Sequence, residues 1–323
     1  MIAQNEFLET VKEHVSINGK RFDNPEFIET NSSLILFVEN QAWKIIKEEK
    51  GEEYSNLQDR CIWLIEEMFI NSEISPDLYL GIGRIHVDNA VEYALGMKKL
   101  EEKSLVYNML LKGSYLKEHS LNIACKIANF HFSKLTHPAQ ANNHDSMKKY
   151  CSYDALRDVI HADFKRFERY KEIFMPAALT EENYQKIKNY VLNFLRDKRK
   201  LLIERAKTGY VLSIHGDFHA RNIFVENNSV YVIDRALRKQ FRINDIVKDP
   251  AYFSVDLQAF GLRKEMQYFL DVYQEKVADP FFEELLPFYI CRLGLVGGMV
   301  HFSEGNPLQA KPYFDVALHY AEC

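Results

Sequence analysis

The chain has 323 residues, enough for one large domain or two modest domains with cores of their own. Hydrophobic residues make up 47% of it and charged residues 27%, as in ordinary globular proteins, and a net charge of -5 excludes a strongly basic nucleic-acid-binding protein. The five cysteines are scattered and form no C-x-x-C pair, which excludes a disulfide framework and argues against a zinc site.

The chain shows no sign of export or membrane insertion. Its first residues lack a basic region followed by an apolar core, and no later stretch offers about 18 uninterrupted apolar residues. We therefore expect a cytoplasmic protein with neither a membrane nor a nucleic-acid partner.

The first third of the chain mixes helical and strand patterns. Apolar residues at helical spacing predict an amphipathic helix over 5–15 and a longer one over 55–71. Runs rich in β-branched and aromatic residues, bounded by turn-prone residues, predict strands at 27–30, 34–38, 42–46, 84–87 and 91–97.

The rest of the chain is mainly helical by the same criterion. A buried helix is expected over 120–135, a polar loop over 136–146 and a charge-rich helical segment over 147–207. Within that segment we expect a break at Met175-Pro176 and a helix start at Thr180. The aromatic residues of 257–323 mostly recur at the spacing of a helical core.

One stretch, HGDFHARNIF followed by VENNSVY and VID, carries the chemistry. Asp217 and Asn222 are five residues apart, and Asp234 follows two short apolar runs separated by the turn-prone residues 226–229. This pattern predicts a loop that leads into a β-hairpin.

The spacing suits phosphoryl transfer. That reaction needs a carboxylate to orient and deprotonate the acceptor hydroxyl, plus an amide oxygen and a second carboxylate to hold Mg²⁺. Asp217 fits the first role, and Asn222 and Asp234 fit the metal-binding roles. Asp and Asn beside turns also serve as plain turn formers, but their order and spacing within a predicted loop and hairpin favour the catalytic interpretation.

In protein kinases the corresponding pattern is H-R-D-x-x-x-x-N, followed by a metal-binding Asp after a short hairpin. His215-Gly216-Asp217, with His219 two residues later, resembles the aminoglycoside phosphotransferase and choline kinase family, and the layout is similar to a bacterial subgroup of small-molecule kinases. The resemblance implies an α+β, protein-kinase-like two-lobed fold that binds ATP and Mg²⁺. It would have a small antiparallel-sheet N-lobe over 1–97 and a larger, mainly helical C-lobe over 98–323.

The resemblance also implies a strand lysine that binds the nucleotide phosphates and a helix glutamate that steadies it. Lys44 and Lys47 lie three apart and so point to opposite faces of a strand; Lys44, nearest the turn and flanked by apolar residues, is the choice. Adjacent helical residues lie about 100° apart, so only one of Glu66 and Glu67 can face the lysine. Glu67 is the choice, by similarity to the bacterial subgroup.

Other nucleotide contacts implied by the resemblance are less specific. Ser32 and Ser33 occupy the place of the nucleotide-covering loop, but the G-x-G-x-x-G of protein kinases is absent and a plain polar loop is an equal alternative. Backbone groups around Leu95 and Met97 would bind the adenine edge at the interlobe hinge.

The catalytic segment also leaves questions open. Arg221 can neutralise developing phosphate charge or pair with a nearby carboxylate, and Asp249 is expected to brace the loop without taking part in the chemistry.

Asp234 is followed by Arg-Ala where protein kinases have Phe-Gly, which argues against a mobile activation segment. Residues 237–239 read Leu-Arg-Lys where bacterial relatives tend to have an acidic residue, so the acceptor preference of those relatives is in doubt.

The sequence therefore predicts an ATP- and Mg²⁺-dependent phosphotransferase acting on a hydroxyl of a small molecule, such as a sugar or an aminoglycoside-like compound. A protein or peptide kinase of effector or toxin type is the first alternative. A nucleotide-binding pseudokinase is the second, disfavoured because Lys44, Asp217, Asn222 and Asp234 are all present. The acceptor, the choice of ATP over GTP and the oligomeric state stay open.

Overall fold

The computed structural model describes residues 4–30, 32–48, 56–136 and 149–322. The chain divides into two compact units. The sheet unit comprises Met1–Glu101 with Tyr231–Asp234, and the helical unit comprises Glu102–Val230 with Arg235–Cys323.

The described part of the sheet unit contains a seven-stranded antiparallel sheet in the order β2-β1-β6-β7-β5-β4-β3. Its elements, in chain order, are α1 (Gln4–Glu13), β1 (His14–Ile17), β2 (Lys20–Asp23), β3 (Glu26–Glu29), β4 (Ser33–Val38), β5 (Gln41–Ile46), α2 (Leu57–Ser72), β6 (Tyr79–Val87) and β7 (Ala90–Lys98).

The first hairpin of this sheet was not predicted. Helix α1 ends at Glu13 instead of extending to residue 15, and β1 and β2 follow it directly. The turn between them is Asn18-Gly19, where both residues have positive φ angles, 52° and 82°. Asn-Gly is the preferred sequence for such a two-residue hairpin turn, so the signal was present in the sequence but its flanking strands are only four residues long.

One aromatic side chain organises the centre of the sheet unit. Trp43 on β5 is buried in the core together with Leu36, Ile45 and Ile85. A Cβ atom at Gly96 of the neighbouring strand β7 would lie 2.9 Å from the indole ring. The absence of a side chain there lets the ring lie flat on the sheet, which fixes which face of β5 is turned to the core.

The helical unit is mainly α-helical, which together with the sheet unit confirms the predicted α+β class. Its helices are α3 (Val106–Lys112), α4 (Lys117–Thr136), α5 (Tyr153–Ala178), α6 (Glu181–Asp197), α7 (Arg199–Lys207), α8 (Lys239–Arg242), α9 (Lys248–Ala259), α10 (Arg263–Val277), α11 (Phe282–Ser303) and α12 (Pro307–Ala321). Its short strands are β8 (Val211–Ser213), β9 (Ile223–Glu226), β10 (Ser229–Val232, which crosses into the sheet unit) and β11 (Ile243–Asp245), paired as β8 with β11 and β9 with β10.

Two predicted helix boundaries had different outcomes. Helix α5 runs without interruption to Ala178, so the break expected at 175–176 was wrong. The start at Thr180 is confirmed, because the Thr180 side chain accepts a hydrogen bond from the Asn183 backbone N–H at 3.2 Å and caps α6. Most of the loop expected over 136–146 lies outside the described residues.

Helix α11 is long and apolar enough to cross a membrane by length and composition, but 78% of that apolar window is buried inside the structure. Its glycines explain part of this burial. A Cβ atom at Gly294 would lie 2.9 Å from the Tyr313 carbonyl oxygen on α12, and one at Gly297 would lie 2.6 Å from the Tyr313 ring. The lack of a side chain at these two positions therefore lets α11 and α12 pack closely together.

A buried ion cluster ties three parts of the helical unit together. Arg205 on α7 donates two hydrogen bonds to Asp245 on β11, at 2.5 and 2.8 Å, and two to Asp279, at 2.8 and 2.7 Å. All three side chains are buried. Burial by itself lowers the pKa of Arg205, but the two carboxylates outweigh it and raise the pKa above its ordinary value. Arg205 therefore has a structural role in the helical unit.

Candidate active site

A lysine in the sheet unit contacts two carboxylates. Lys44 on β5 donates to Glu67 Oε1 on α2 at 2.6 Å and to Asp234 Oδ1 at 3.3 Å. Glu67 is buried and Asp234 is exposed. Asp234 has a φ angle of 54°, in the left-handed region that non-glycine residues seldom adopt. Three predicted site residues thus lie in one cluster.

Strand alternation and helix capping explain why these side chains meet. Trp43 and Ile45 turn to the core of the sheet unit, which leaves Lys44 on the opposite face. Helix α2 begins at Leu57, capped by the Asn56 side chain, which accepts from the Asp59 N–H at 3.0 Å. The other candidate, Lys47, bonds to Thr30 O at 2.6 Å and Glu29 instead.

The charge of Lys44 is stabilised by its partners. Burial lowers the pKa of Lys44, but the carboxylates of Asp234 and Glu67 outweigh that effect, so the pKa lies above its usual range. Burial raises the pKa of Glu67, and the Lys44 ammonium opposes that rise. The cluster therefore presents a permanent positive charge next to an exposed carboxylate, a combination suited to a phosphate group and a divalent cation.

The two serines predicted to contact phosphate differ in how accessible their hydroxyls are. Ser33 is buried, and its hydroxyl lies 2.9 Å from Thr30 Oγ1, within a turn in which Thr30 N–H also donates to Ser33 O at 2.8 Å. Ser32 is exposed, and Asn31 lies outside the described residues. Of the two serines, only the exposed Ser32 is placed to offer its hydroxyl to a ligand.

The predicted adenine-binding residues lie inside strand β7. Leu95 is paired with Lys44 on one side and Ile82 on the other, and its side chain is buried in the core. Met97 is paired with Ala42 and Tyr79 and is half-buried. The strand continues to Lys98, past the residues where the hinge was expected. Their adenine-binding role stays a prediction.

The catalytic loop predicted around Asp217 lies in the helical unit between β8 and β9. Asp217 Oδ2 lies 3.4 Å from His219 Nε2 and 3.4 Å from Asn222 Nδ2. Asn222 Nδ2 also donates to the Asp217 carbonyl oxygen at 3.0 Å, within a single turn of 3₁₀ helix at Ala220–Asn222. This short turn brings Asn222 back into contact with Asp217, which explains the spacing of five residues between them.

The Asp217 carboxylate is ionised. Burial by itself raises its pKa, but the His219 imidazole lowers it more, with smaller contributions from His215 and Lys248, and the pKa of Asp217 falls to about 2. Burial lowers the pKa of His219, while Asp217 raises it, and the result is a pKa above the ordinary histidine value. Asp217 is thus a hydrogen-bond acceptor at neutral pH, and its side chain is 45% exposed.

Asp249 on α9 braces the backbone of this loop. It accepts hydrogen bonds from the N–H groups of His215 at 2.7 Å and Gly216 at 2.8 Å. His131, on helix α4, lies 3.0 Å from the same carboxylate through Nε2 and 2.8 Å from Tyr273 through Nδ1. Asp249 is therefore the structural anchor that the sequence suggested, and His131 belongs to the core.

A second aspartate on α9 holds the far end of the loop. Asp256 accepts from the Ala220 N–H at 2.6 Å and from the Tyr313 hydroxyl on α12 at 2.7 Å. Burial raises the pKa of Asp256. The loop is thus fixed from both ends of one buried helix, and this rigidity is what a reaction that depends on positioning requires.

Two residues near the loop were missed by the sequence reasoning. Lys248 is buried and donates to Gly216 O at 2.7 Å and to Phe241 O at 3.0 Å. Burial and the nearby Arg292 lower its pKa to about 8. Tyr252 is also buried, and burial with the charges of Asp217 and Asp256 raises its pKa well above the usual value. The sequence did contain a signal for Lys248. It is a lysine next to an aspartate in IVKDPAYF, a run that is otherwise mostly apolar.

The structure shows one of the two roles that the sequence left open for Arg221. Its guanidinium donates to Glu304 Oε2 at 2.5 Å and lies 4.5 Å from the centre of the Tyr107 ring. A further contact joins Arg221 Nη2 and His301 Nδ1 at 3.1 Å. The structure therefore contains the carboxylate pairing, and a direct catalytic role for Arg221 stays a prediction.

The predicted metal ligands have suitable donor chemistry. Because Nδ2 of Asn222 is held by Asp217 O, its amide oxygen is the remaining donor atom, and no hydrogen bond to that oxygen exists among the described residues. Within the ranges that the structure describes, no group of three or more His, Cys, Asp or Glu side chains could hold a metal ion. In general, Mg²⁺ takes one or two protein ligands and completes its shell with water and phosphate oxygens.

No family model matches the chain. Three curated mycobacterial proteins match at 22% identity over 287 residues, 86% of this chain and 55% of theirs: the uncharacterized proteins Rv2004c and MT2060 of Mycobacterium tuberculosis and Mb2027c of Mycobacterium bovis. The chain thus spans about half the length of the curated relatives it matches.

Solved structures give a more extensive match. The aminoglycoside phosphotransferase APH(2")-IIia, in a complex with GDP and kanamycin, has a TM-score of 0.54 at 13% identity and covers 95% of this chain and 94% of its own. Amicoumacin kinase hAmiN has a TM-score of 0.53 at 11% identity (97% and 94% covered). Choline kinase from Cryptosporidium parvum has a TM-score of 0.51 at 11% identity (95% and 89% covered).

The chain therefore has the protein-kinase-like fold shared by aminoglycoside phosphotransferases and choline kinases, as its sequence predicted. The three solved structures described above are an aminoglycoside phosphotransferase, an amicoumacin kinase and a choline kinase. At these low identities the likeness establishes the fold, and the activity has to be argued from the site.

Proposed function

We propose that this protein is a cytoplasmic, ATP- and Mg²⁺-dependent phosphotransferase that transfers the γ-phosphate to a hydroxyl of a small molecule. The observation that carries the proposal is the contact of Lys44 Nζ with both Glu67 and Asp234. A buried lysine that stays charged, fixed by a helix glutamate beside an exposed aspartate, is the arrangement that kinase chemistry uses for nucleotide phosphates.

The chain's own residues divide the work of the reaction. Lys44 binds phosphate oxygens, and Glu67 holds the lysine in position. Asp217 accepts the hydrogen bond of the acceptor hydroxyl and orients its oxygen for attack; its pKa of about 2 is compatible with this, since positioning contributes more than proton removal when the transition state is loose.

Asn222 and Asp234 are the residues proposed to hold magnesium, through one amide and one carboxylate oxygen. When bound, the metal and ATP supply the transferable phosphoryl group and the positive charge that offsets its oxygens. Support for a nucleotide comes also from the fold, because APH(2")-IIia was solved with GDP and hAmiN with AMP-PNP.

The proposal predicts acceptor-dependent ADP release. Purified protein with ATP and Mg²⁺ should release ADP only when a suitable hydroxylated compound is added, and chelation of the metal should abolish the release. A screen of sugars, amino alcohols and aminoglycosides by a coupled ADP assay measures this. Incubation of the protein with labelled ATP and a cell lysate distinguishes a small-molecule kinase from a protein kinase. Label in protein bands instead of the small-molecule fraction would contradict the proposal.

The lysine assignment makes a separate prediction. Lys44→Met should lower kcat/KM for ATP by roughly a hundredfold, the usual loss when one fixed charge at a reacting phosphate is removed. Lys47→Met is the matched control, because Lys47 directly follows the same strand, β5. Its partners are the exposed Glu29 and a backbone carbonyl, so the substitution should change kcat/KM by less than about twofold. Equal effects of the two substitutions would refute the choice of Lys44.

A further inference from the structure

Helix α9 turns one face to the catalytic loop. Asp249 holds the start of the loop through the N–H groups of His215 and Gly216. Asp256 holds the end of it through the Ala220 N–H. The two aspartates are seven residues apart, which is two turns of a helix, so they lie on the same face. A residue between them on that face therefore points to the middle of the loop.

Tyr252 is that residue. It follows Asp249 by three residues and precedes Asp256 by four, the spacing of neighbours along one helix face. Its ring meets the His219 ring edge to face, with the ring centres 5.2 Å apart, and His219 Nε2 lies 3.4 Å from Asp217 Oδ2. The tyrosine is thus packed against the residue that contacts the proposed catalytic carboxylate.

The Tyr252 hydroxyl has no hydrogen-bond partner among the described residues, although only 8% of the residue's surface is exposed. A buried tyrosine hydroxyl usually has such a partner. In the described parts of the chain, the wholly buried polar side-chain atoms that lack a partner are Arg60 Nη1, Tyr289 Oη and Arg292 Nη1, and the Tyr252 hydroxyl is not one of them. It therefore keeps some access to solvent and is free to bond with a ligand.

The Tyr252 hydroxyl also lies close enough to Asp217 for the charge of that carboxylate to act on it. Burial raises the pKa of Tyr252 well above its usual value, and among the charged groups Asp217 contributes most to the rise. The hydroxyl therefore keeps its proton at neutral pH and can donate a hydrogen bond. The Asp217 carboxylate is ionised and can only accept one. One donor and one acceptor thus lie near each other at the loop.

Other side-chain donors at this loop are engaged within the protein. Lys248 donates to two backbone carbonyl groups, and the Asn222 amide donates to a third. Arg221 donates to the Glu304 carboxylate. Recognition of a hydroxylated compound requires donors as well as acceptors, because the oxygen of each hydroxyl has lone pairs to be satisfied. Tyr252 supplies such a donor without breaking a bond inside the protein.

We propose that the Tyr252 hydroxyl binds the acceptor, by donating a hydrogen bond to a second oxygen atom of the molecule whose hydroxyl is held by Asp217. The inference rests on the proposed function and narrows its substrate class to compounds with two nearby oxygen atoms, such as sugars and other polyols. An amino alcohol such as choline or ethanolamine does not fit, because its ammonium group has no lone pair to accept the bond.

The test compares acceptors that differ by one oxygen atom. Glucose, ribose, myo-inositol and glycerol, each with its monodeoxy analogues, are offered in the ADP assay together with choline and ethanolamine. For the polyol that is phosphorylated, loss of the oxygen bound by Tyr252 should lower kcat/KM by roughly tenfold or more, because the hydroxyl of the protein is then left unpaired.

Tyr252→Phe should remove this preference. The substitution should lower kcat/KM for the polyol roughly tenfold, the value of about one hydrogen bond. It should leave the monodeoxy analogue within about twofold of its wild-type value, because that compound never makes the bond. A substitution that only disturbed the fold would lower kcat/KM for both compounds by the same factor.

Tyr289→Phe is the matched control. Tyr289, on α11, is likewise buried and has a hydroxyl with no partner in the described parts of the chain. Its removal should leave the ratio of kcat/KM between polyol and analogue unchanged. Binding of the same compounds by calorimetry, in wild type and in both variants, provides a readout that does not depend on transfer.

The outcomes separate this inference from the proposed function. Equal losses for polyol and analogue in Tyr252→Phe, an unchanged preference in that variant, or neither binding nor transfer of any polyol would overturn the inference. Transfer to amino alcohols alone would also overturn it and would keep the proposed function. Polyol binding that is weakened in Tyr252→Phe and not in Tyr289→Phe, with no transfer to any compound, would support the binding site and remove the proposed function.

Discussion

Replacement of Asp217 by asparagine is expected to lower kcat by about a thousandfold or more, within the range for losing a positioned acid–base group. The amide has the same size and keeps a hydrogen-bonding oxygen, but it cannot take up a proton and carries no charge. Nucleotide affinity should be unchanged, because Lys44, Glu67 and Asp234 are not altered. ADP release with the best acceptor and binding of a fluorescent ATP analogue measure the two quantities separately.

A spectroscopic readout shows whether the substitution acts where it should. The Asp217 carboxylate raises the pKa of His219, so the pKa of His219 should fall in the Asp217→Asn variant when its ring is titrated by NMR. Asp271→Asn on the surface of α10 is the control, with no expected change in kcat or in the His219 titration. Transfer within tenfold of wild type in Asp217→Asn would remove Asp217 from its assigned role.

Arg205→Met is expected to reduce the free energy of unfolding by about 3–5 kcal/mol, the usual cost of removing one partner of a buried ion cluster. The substitution leaves Asp245 and Asp279 buried, close together and without their shared cation. We expect the midpoint of thermal unfolding, measured by calorimetry, to fall by roughly 10 °C for a chain of this size.

Two further variants separate lost charge from lost packing. Arg196→Met removes an exposed arginine paired with its neighbour Asp197 and should leave the midpoint of thermal unfolding unchanged. Adding Asp245→Asn and Asp279→Asn to the Arg205→Met variant neutralises the two carboxylates that have lost their cation. These substitutions should restore part of the lost free energy of unfolding. If Arg205→Met melts at the wild-type temperature, the cluster does not stabilise the helical unit.

Local patterns in the sequence were enough for the elements that carry the site. Strand alternation predicted that Lys44 and Lys47 point to opposite faces, and Lys44 was favoured because it lies nearest the turn and is flanked by the apolar Trp43 and Ile45. The spacing from Asp217 to Asn222 reflects one 3₁₀ turn, a purely local structure. Predictions failed where local signals were short or ambiguous, as at the four-residue strands β1 and β2 and at the uninterrupted helix α5.

Contacts between distant parts of the chain could not be predicted in this way. Arg221 had equal claims to a phosphate and to a carboxylate, and only the packing of α11 brought Glu304 to it, 83 residues later in sequence. Ser33 looked available as a phosphate ligand, and only the folded turn showed its hydroxyl directed to Thr30. Lys248 had no assignment until the structure placed it on the Gly216 carbonyl.

The sequence by itself determined the reaction class that we propose, because Asp217, Asn222 and Asp234 stand at a spacing set by a local loop and hairpin. Only the tertiary structure decided which charges surround that loop. It brought Asp249 and Asp256 to the backbone of the loop and Glu304 to Arg221, through contacts between residues that are far apart in the chain. The residues of the proposed chemistry are therefore set by local sequence, while the groups that surround them depend on packing.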